Sequence, residues 1–345
     1  MLYLDQGEDM NIKPIDMNYI EAATKLAVDN YLCEQQEVSA LFNNKYETEI
    51  SQYINELFSC DSGVMAFEND ELLGYMAFRL SGCEDYNGYK KAYSPIYGYG
   101  IKEGIDRGKI ASLLFQYASE NLIKLNVRNF EVKVYSHDKE VISSFVLNQF
   151  GILCTDAIKD IDTQFCDTNT NILKYCELTK HDILLHRESL LKLWRSLAKH
   201  LQASPTYYYG EEFTDNAYWE YINEVNTRLF VAMDEGEIIG ILDASCDGNC
   251  FANSDKHTIN VGDLYLKSAY RGKNVAQELL QYVSNVLKKE NYKRLWVEHG
   301  TTNPNAQRFW DRYFSRFTYT LTRNIDERIV KQHIGNSYDC EKNVK

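Results

Sequence analysis

The amino-acid sequence predicts an α/β protein made of two tandem copies of one unit. Residues 231–240 (VAMDEGEIIG) align with 65–74 (MAFENDELLG), an offset of 166 residues, and the Leu-Leu pair at 279–280 aligns with 113–114 at the same offset. Matches at one offset in both a hairpin pattern and a later helix pattern indicate a duplication, and each half has the common size of a domain.

Apolar periodicity predicts the same order of elements in each half. In the first half we expect a strand at 11–15, helices at 19–30 and 47–58, a hairpin at 64–78, an irregular segment to Pro95, a strand at 96–101, a helix from Lys109, a strand at 130–135 and a helix from Val141. In the second we expect a strand at 173–178, helices at 183–201 and 216–224, a hairpin at 229–244, a strand at 258–266, a long helix, a strand at 294–298 and a helix from Pro304.

The domain boundaries follow from this repeat. Residues 160–171 are polar and lack apolar periodicity, so they are the expected linker region. We predict an N-terminal domain at 10–160, a linker at 161–171, a C-terminal domain at 172–326 and a helical or frayed tail at 327–345. Met10 stands just before the first strand, so residues 1–9 are a candidate dispensable leader.

Composition favours a soluble cytoplasmic protein. Of 345 residues, 44% are hydrophobic and 25% charged, and the sequence has neither an apolar run of membrane-spanning length nor a secretory leader. Nine scattered cysteines suit reduced thiols better than a disulfide framework. The formal charge of −13 argues against nucleic-acid binding and favours cationic small molecules.

The most informative segment is 263–276, which is predicted to run from a strand through a basic turn into a helix. Apolar residues recur at helical spacing from Val275 to Leu287, so the helix begins at or just before Asn274. The free backbone N–H groups of 272–276 then lie at the positive end of a helix dipole, beside Arg271 and Lys273. This arrangement is typical of a phosphate site.

Three motifs resemble, in order, those of the GNAT superfamily of acetyl-CoA-dependent N-acyltransferases. They are the hairpin turn EIIG at 237–240, the run RGKNVA at 271–276 followed by Leu279 and Leu280, and NPNAQRFW at 303–310. The resemblance covers most of 173–326 and implies a fold of two tandem GNAT-like domains, each a mixed, mostly antiparallel central sheet flanked by helices. It also implies acetyl-CoA as cofactor.

These motifs differ from the family pattern at two positions. Asn274 replaces the usual first glycine, but asparagine tolerates left-handed backbone angles. Trp310 replaces the tyrosine that often protonates the departing thiolate, and an indole cannot serve as that acid. Either the nearby Tyr313 is the acid, or the thiolate leaves without one.

The first half is the more degenerate copy. Arg271, Asn274 and Ala276 correspond to Ile105, Gly108 and Ile110, and the last side chain crowds the expected pyrophosphate position. We therefore expect catalysis in the C-terminal domain only, an arrangement that resembles mycothiol synthase.

The resemblance also implies which residues hold the cofactor. The backbone edge of the strand at 264–266 pairs with the pantetheine amides, because its neighbour splays away in this fold, and the Leu266 N–H polarises the thioester carbonyl. The expected cofactor-binding residues are Leu264, Tyr265, Leu266, Arg271, Gly272, Lys273, Asn274, Val275, Ala276, Asn303, Ala306, Phe309 and Trp310. Asn303 with Pro304 also suits an ordinary helix cap.

The sequence does not single out one residue as the general base. Relatives commonly place a glutamate near position 260, which is Asn260 here. Asp263 faces the cleft only if a β-bulge resets the strand alternation, and Glu298 and His299 end the opposite strand. These three rank level as candidates, with a water relay possible, and His299 is equally well explained as a buried structural histidine.

The acceptor is expected to be the primary amine of a small cationic molecule. The loop between the first two helices of the second half carries Tyr208, Glu211, Glu212 and Asp215, which suit a cation, although packing of the tyrosines explains them equally well. Cys246, Cys250 and His257 lack a fourth ligand, so no metal is expected.

The expected activity is N-acetyl transfer by a monomer or homodimer that binds neither nucleic acid nor membrane. The alternative is a non-catalytic CoA-binding sensor or scaffold on the same duplicated fold.

Overall fold

The computed structural model describes residues 10–82, 85, 87–165, 172–208, 210 and 213–333. These residues divide into two compact units, one of residues up to Thr155 together with residues from Phe317 onward, and one of Asp156–Arg316. None of the helices in the described residues combines the length and the continuous apolar character that a membrane-spanning helix requires.

Unit 1 is a set of antiparallel and parallel strands with helices against them. Its elements are β1 (Met10–Pro14), α1 (Ile20–Glu37), α2 (Glu47–Phe58), β2 (Gly63–Glu68), β3 (Glu71–Ala77), β4 (Arg79–Leu80), β5 (Lys90–Ser94), β6 (Tyr99–Ile101), α3 (Arg107–Lys124), β7 (Val127–Tyr135) and α4 (Lys139–Leu147). The strand order is β1-β2-β3-β6 in one sheet, and β4, β5 and β7 follow one another in a second.

Unit 2 repeats this plan more regularly. Its elements are β9 (Lys174–Leu178), α5 (Lys180–Leu185), α6 (Arg187–Gln202), α7 (Asp215–Asn223), β10 (Thr227–Asp234), β11 (Glu237–Ser245), β12 (Thr258–Leu266), α8 (Val275–Lys289), β13 (Arg294–Gly300) and α9 (Pro304–Trp310). The strands follow the order β13-β12-β11-β10-β9, antiparallel except for the parallel pair β12 and β13. The predicted fold class is confirmed.

Two hydrophobic cores of unit 2 lie against alternate residues of the same strands. In β10, Phe230 and Ala232 belong to the core beneath α8 and α9, whereas Leu229 and Val231 belong to the core beneath α6 and α7. A sheet covered on both faces needs apolar residues on both, which explains the almost continuous apolar runs in its strands.

The remaining two strands link the sequence halves in a way that the repeat did not predict. Strand β8 (Gly151–Asp160) neighbours β13, and its residues from Asp156 onward belong to unit 2. Strand β14 (Ser315–Asn324) pairs with β7 from Thr318 to Asn324, within unit 1. The second part of β8 is thus built into the unit formed mainly by the second half, and most of β14 into the unit formed mainly by the first half.

This strand exchange corrects the predicted boundaries. Residues 156–160 and 317–326 fall in the opposite unit from that expected, and the start of the predicted linker is packed, with Ile161 and Phe165 buried in the unit 2 core. Residues 166–171 lie outside the described part of the chain. Of the predicted tail, 327–333 are helical and the rest is not described.

Several predicted elements also change. The single helix at 183–201 is two helices that meet at His186, which caps the second. The irregular segment before Pro95 contains β4 and β5, and the strand at 96–101 shrinks to the three residues of β6. The strands β8 and β14 were missed.

Candidate active site

The site lies in unit 2, where β12 and β13 separate. Their parallel pairing runs from Thr258 with Arg294 to Asn260 with Trp296 and then stops. The rest of β12, up to Leu266, pairs with β11 on one side only. The predicted splay of the two strands is therefore present, and it leaves one edge of 264–266 open.

The orientation of that edge follows from one hydrogen bond. The Lys267 N–H donates to the Ile239 carbonyl of β11 at 2.9 Å. Because backbone groups alternate in direction along a strand, the N–H and C=O of Leu266 point to the open edge. The Leu266 carbonyl accepts from Arg271 Nε at 3.0 Å, while its N–H is on the same side, as the expected carbonyl-polarising donor requires.

Helix α8 begins at Val275, as predicted. Asn274 precedes it in the left-handed region, with φ of 61° and ψ of 4°, and Gly272 has φ of 72° with open space around its Cα. The first intrahelical bond runs from the Glu278 N–H to the Asn274 carbonyl, so the amides of 275–277 point out of the helix start. Among the described residues, no side chain caps this end.

One cleft joins the open strand edge to the start of α8. It has a volume of about 580 Å³. It is lined by Leu197, His200, Leu264, Tyr265, Leu266, Arg271, Gly272, Asn274, Val275, Ala276, Gln277, Asn303, Asn305, Ala306, Arg308, Phe309, Trp310, Arg312 and Tyr313. Of the predicted cofactor-binding residues, all but Lys273 line it.

Sequence reasoning missed the positive charge that α9 and the following turn add. Arg308 and Arg312 line the cleft with Arg271, and within the described lining every side chain with a permanent charge is an arginine. In a chain of net charge −13, this local excess of positive charge suits phosphate groups. The i, i+4 spacing of the two arginines beside the 303–310 motif is the signal that was available.

Helix α9 contributes through its start and its aromatic face. The Asn303 side chain accepts from the N–H groups of Asn305 and Ala306, both at 3.2 Å, so the predicted cap is present. Trp310 is buried, whereas Tyr313 is partly exposed and packs on Phe309 with ring centroids 5.5 Å apart. Tyr313 is thus the only predicted catalytic residue that lines the described cleft.

The three candidate bases occupy different environments. Glu298 is exposed, and His299 is buried, with 6% of its surface accessible. Burial lowers the pKa of the His299 imidazole below its ordinary value, and Asp311 Oδ1 lies 3.9 Å from its Nε2. Asp263 is partly exposed and directly precedes Leu264.

The predicted acceptor residues are only partly assembled. Tyr208 is exposed and packs edge-on against Phe213, and the Asp215 carboxylate forms an ion pair with Arg195. Because that pair neutralises Asp215, its charge is not available to an incoming cation. Glu211 and Glu212 lie outside the described residues. No group of three or more possible metal ligands converges among the residues that are described.

In unit 1 the corresponding helix start is capped by acidic side chains. At the start of α3, the Asp106 carboxylate accepts from the Lys109 N–H at 2.9 Å, and Glu140 accepts from the Arg107 N–H at 3.2 Å. Between β6 and β7, the buried Tyr99 hydroxyl accepts from the Tyr135 N–H at 3.1 Å. Two carboxylates therefore already occupy the helix start that an anion would need.

Comparisons with known proteins agree with this assignment of the fold. Residues 194–314, all within unit 2, match the model of the acetyltransferase (GNAT) family. A GCN5-related N-acetyltransferase from Sphaerobacter thermophilus aligns over 91% of this chain and 95% of its own, with a TM-score of 0.55 and 11% identity. No curated protein matches the sequence.

A second solved structure covers the same two units. It is described as a GCN5-related glucosamine N-acetyltransferase region in a fungal multi-domain GH3 β-N-acetylglucosaminidase, and it aligns over 92% of this chain and 38% of its own, with a TM-score of 0.51 and 11% identity. The protein is thus a two-unit member of the GNAT fold class. Residues 194–314 of its second unit match the acetyltransferase (GNAT) family, and the solved structures show that the two units together have the fold of these proteins.

Proposed function

We propose that unit 2 is an acetyl-CoA-dependent N-acetyltransferase that acts on the primary amine of a small cationic molecule. The observation that carries this proposal is the joining, in one cleft, of an uncapped helix start and an open strand edge. The first suits a pyrophosphate, and the second suits the amide groups of a pantetheine arm.

The residues that line the cleft fit both the phosphates and the pantetheine arm of acetyl-CoA. The amides of 275–277 and the guanidinium groups of Arg271, Arg308 and Arg312 would hold its phosphates. The open edge at 264–266 would hold the pantetheine amides. Gly272 and Ala276 leave room for close approach, because a Cβ at Gly272 meets nothing and the Ala276 side chain is a single methyl group.

Acetyl-CoA supplies an activated acyl group as a thioester. The Leu266 N–H, fixed in direction by the pairing of β12 with β11, is positioned to polarise the thioester carbonyl. Tyr313 lines the cleft and is the candidate acid for the departing thiolate. Asp263 stands one residue before the open edge and is the best placed of the three candidate bases.

A second candidate function, that of a CoA-binding sensor or scaffold, is favoured by one observation. Asp263, Glu298 and His299 all lie outside the set of residues that line the cleft, and Trp310 stands where relatives often have a tyrosine. A protein that binds CoA as a sensor or scaffold needs the cleft but none of these groups.

Transfer of a radiolabelled acetyl group from acetyl-CoA to a panel of primary amines separates the two functions. Product above the rate of uncatalysed aminolysis supports the enzyme. Acetyl-CoA binding without transfer to any amine, including diamines, supports the sensor.

Unit 1 is expected to contribute no CoA site, so calorimetric titration should give one acetyl-CoA per chain. Asp106→Ala removes the cap of α3 and is expected to lower the free energy of unfolding by about 1 kcal/mol, measured by urea denaturation. Acetyl-CoA affinity should not change, because the cap belongs to unit 1. Two equivalents of acetyl-CoA, or affinity that depends on Asp106, would contradict this division of roles.

A further inference from the structure

Strand β12 carries a β-bulge next to the open edge. Leu242 of β11 pairs with Leu264 and Ala244 pairs with Val261, so Gly262 and Asp263 together face the single residue Asp243. The Asp243 carboxylate accepts from the Asp263 N–H at 2.6 Å and also from the Gly262 N–H. A Cβ at Gly262 would lie 2.3 Å from Asp243 Oδ1, so only glycine fits beside this carboxylate.

The bulge brings two carboxylates to one place. Asp243 is 3% exposed and directly follows the mostly apolar run 238–242 of β11, while Asp263 is partly exposed. A buried carboxylate needs compensation by hydrogen bonds or by a cation. The backbone amides of the bulge and the Tyr221 hydroxyl supply hydrogen bonds to Asp243, but they supply no positive charge.

A buried hydroxyl without a partner lies beside these carboxylates. Tyr218 of α7 is 3% exposed, and its hydroxyl has no hydrogen-bond partner among the described residues. The charged groups that act on this hydroxyl are Asp243 and Asp263. Burial raises the pKa of Tyr218 well above its ordinary value, so the hydroxyl keeps its proton.

The packing of α7 on α6 fixes the Tyr218 ring, and α6 also contributes a side chain to the cleft. The Tyr218 ring stacks on Trp194, with centroids 4.2 Å apart and planes 3° from parallel. Leu197 lies three residues after Trp194, on the same face of α6, and lines the cleft. On the other side, Asp263 adjoins Leu264, which also lines the cleft.

We propose that Asp243, Asp263, Tyr218 and Tyr221 form the seat for the ammonium group of the acceptor, and that the acceptor is an alkyl amine that carries no carboxylate. The seat rests on the proposed function of unit 2. Two carboxylates attract a cation, and the Tyr218 hydroxyl, which has no partner among the described residues, accepts one of its N–H groups. A carboxylate on the acceptor would meet two like charges.

The proton balance of the transfer follows from this seat. The bound ammonium gives one proton to the Asp263 carboxylate, and the resulting amine nitrogen forms a bond to the thioester carbon. The carbon–sulfur bond breaks, and the second proton leaves the nitrogen for the CoA thiolate. The products are the N-acetylamine and CoA thiol, and Asp263 returns its proton to water.

The seat is tested first by binding without turnover. In calorimetric titrations at pH 7.5, 1,4-diaminobutane should bind wild type at least about tenfold more tightly than 4-aminobutyrate, which carries a carboxylate in place of the second amine. Tyr218→Phe keeps the ring that stacks on Trp194 and removes only the hydroxyl. It should weaken diamine binding roughly tenfold to a hundredfold, because a hydrogen bond to a charged group is lost.

The control is Asp162→Asn, which removes an exposed carboxylate of the same unit that pairs with Lys288. It should leave diamine affinity unchanged. Equal affinity of wild type for the two amines, or unaltered diamine binding in Tyr218→Phe, would overturn the proposal.

A pH profile gives an independent test of Asp243. Burial raises the pKa of its carboxyl to about 6. The titratable groups that act on it or on its tyrosine neighbours are Asp263, Asp247, Tyr221 and Tyr218, and none of these described groups is a cation. As pH rises through 6 this carboxyl becomes ionised, so diamine affinity should rise between pH 5.5 and 7.5. Asp243→Asn should bind the diamine more weakly at pH 7.5 and lose this rise. A rise of the same size in Asp243→Asn would count against the seat.

Parallel titration with acetyl-CoA separates failure of the seat from failure of the proposed function. If acetyl-CoA binds and amines are acetylated but Tyr218→Phe has no effect on the acceptor, only the seat is wrong. If acetyl-CoA fails to bind, the proposed function is wrong, and diamine binding still reports on the seat.

Discussion

Ala276→Glu is expected to abolish measurable acetyl-CoA binding while the protein stays folded. Ala276 lines the cleft in the first turn of α8, where the backbone amides point outward. A carboxylate there occupies the anion site itself and repels phosphate. Like charges brought together in a binding site cost several kcal/mol, so affinity should fall at least about a hundredfold. Calorimetric titration with acetyl-CoA measures this loss.

The same change should not destabilise the helix. A negative charge in the first turn interacts favourably with the helix dipole, so the melting temperature is expected to stay level or to rise slightly. Loss of acetyl-CoA affinity together with a lower melting temperature would point to misfolding of Ala276→Glu. In that case Arg271→Ala, which truncates an exposed side chain, tests the same site, and we expect it to show a smaller loss of acetyl-CoA affinity.

The matched control is Lys109→Glu in unit 1. Lys109 is an exposed residue in the first turn of α3, the helix that corresponds to α8, and its backbone N–H is already capped by Asp106. This variant should bind acetyl-CoA like wild type. If Lys109→Glu lost affinity and Ala276→Glu did not, the nucleotide would be held by unit 1, contrary to the proposed function.

The cleft was largely predictable because its parts are local in sequence. The helix start at Val275, the left-handed Asn274 and the cap at Asn303 each depend on residues within a few positions of one another. Short-range backbone preferences determine such features, so a single sequence displays them. The separation of β12 from β13 was instead predicted from the resemblance to the GNAT superfamily.

The ammonium seat could not be predicted in the same way. Asp243 lies in a buried strand, 20 residues before the bulge that it stabilises, and Tyr218 lies on a helix further upstream. Their meeting depends on the register of β11 with β12 and on the packing of α7. The available signal was a charged residue inside the apolar run of β11, which is costly unless it has partners.

The strand exchange could not be predicted from the sequence, for a different reason. An offset of 166 residues shows that two segments are related, but it does not show which sheet each last strand joins. In β14, the buried Phe317, Thr318 and Leu321 alternate in part with more exposed residues, a pattern that fits either unit equally well. Only the register of β14 with β7, Thr318 opposite Tyr135, decides the matter.

Leu321→Ala is expected to destabilise unit 1, although residue 321 belongs to the sequence of the second half. Leu321 is fully buried and pairs with Val132 of β7. Truncating a buried leucine to alanine costs about 2–5 kcal/mol. Amide hydrogen exchange should therefore show loss of protection in β7, from Val127 to Tyr135, while α8 and the affinity for acetyl-CoA remain as in wild type.

The matched variant is Leu287→Ala, a fully buried leucine near the end of α8 in unit 2. It should produce the opposite pattern, with loss of protection in α8 and β13 and an unaltered β7. If Leu321→Ala instead lowered protection in β13, the last strand would belong to the unit of its own half, and the predicted boundary at residue 326 would be the better description.

The exchange also determines which fragment folds. A chain of residues 10–160 leaves β7 without the neighbour that pairs with residues 129–135 and leaves its buried side chains exposed to water. We expect this fragment to be poorly folded alone and to gain far-UV ellipticity and amide protection when a peptide of residues 315–333 is added. The same fragment plus a peptide of 151–160 should not respond, because those residues are already present in it. Independent folding of 10–160 without any added strand would mean that the exchange contributes little to the stability of unit 1.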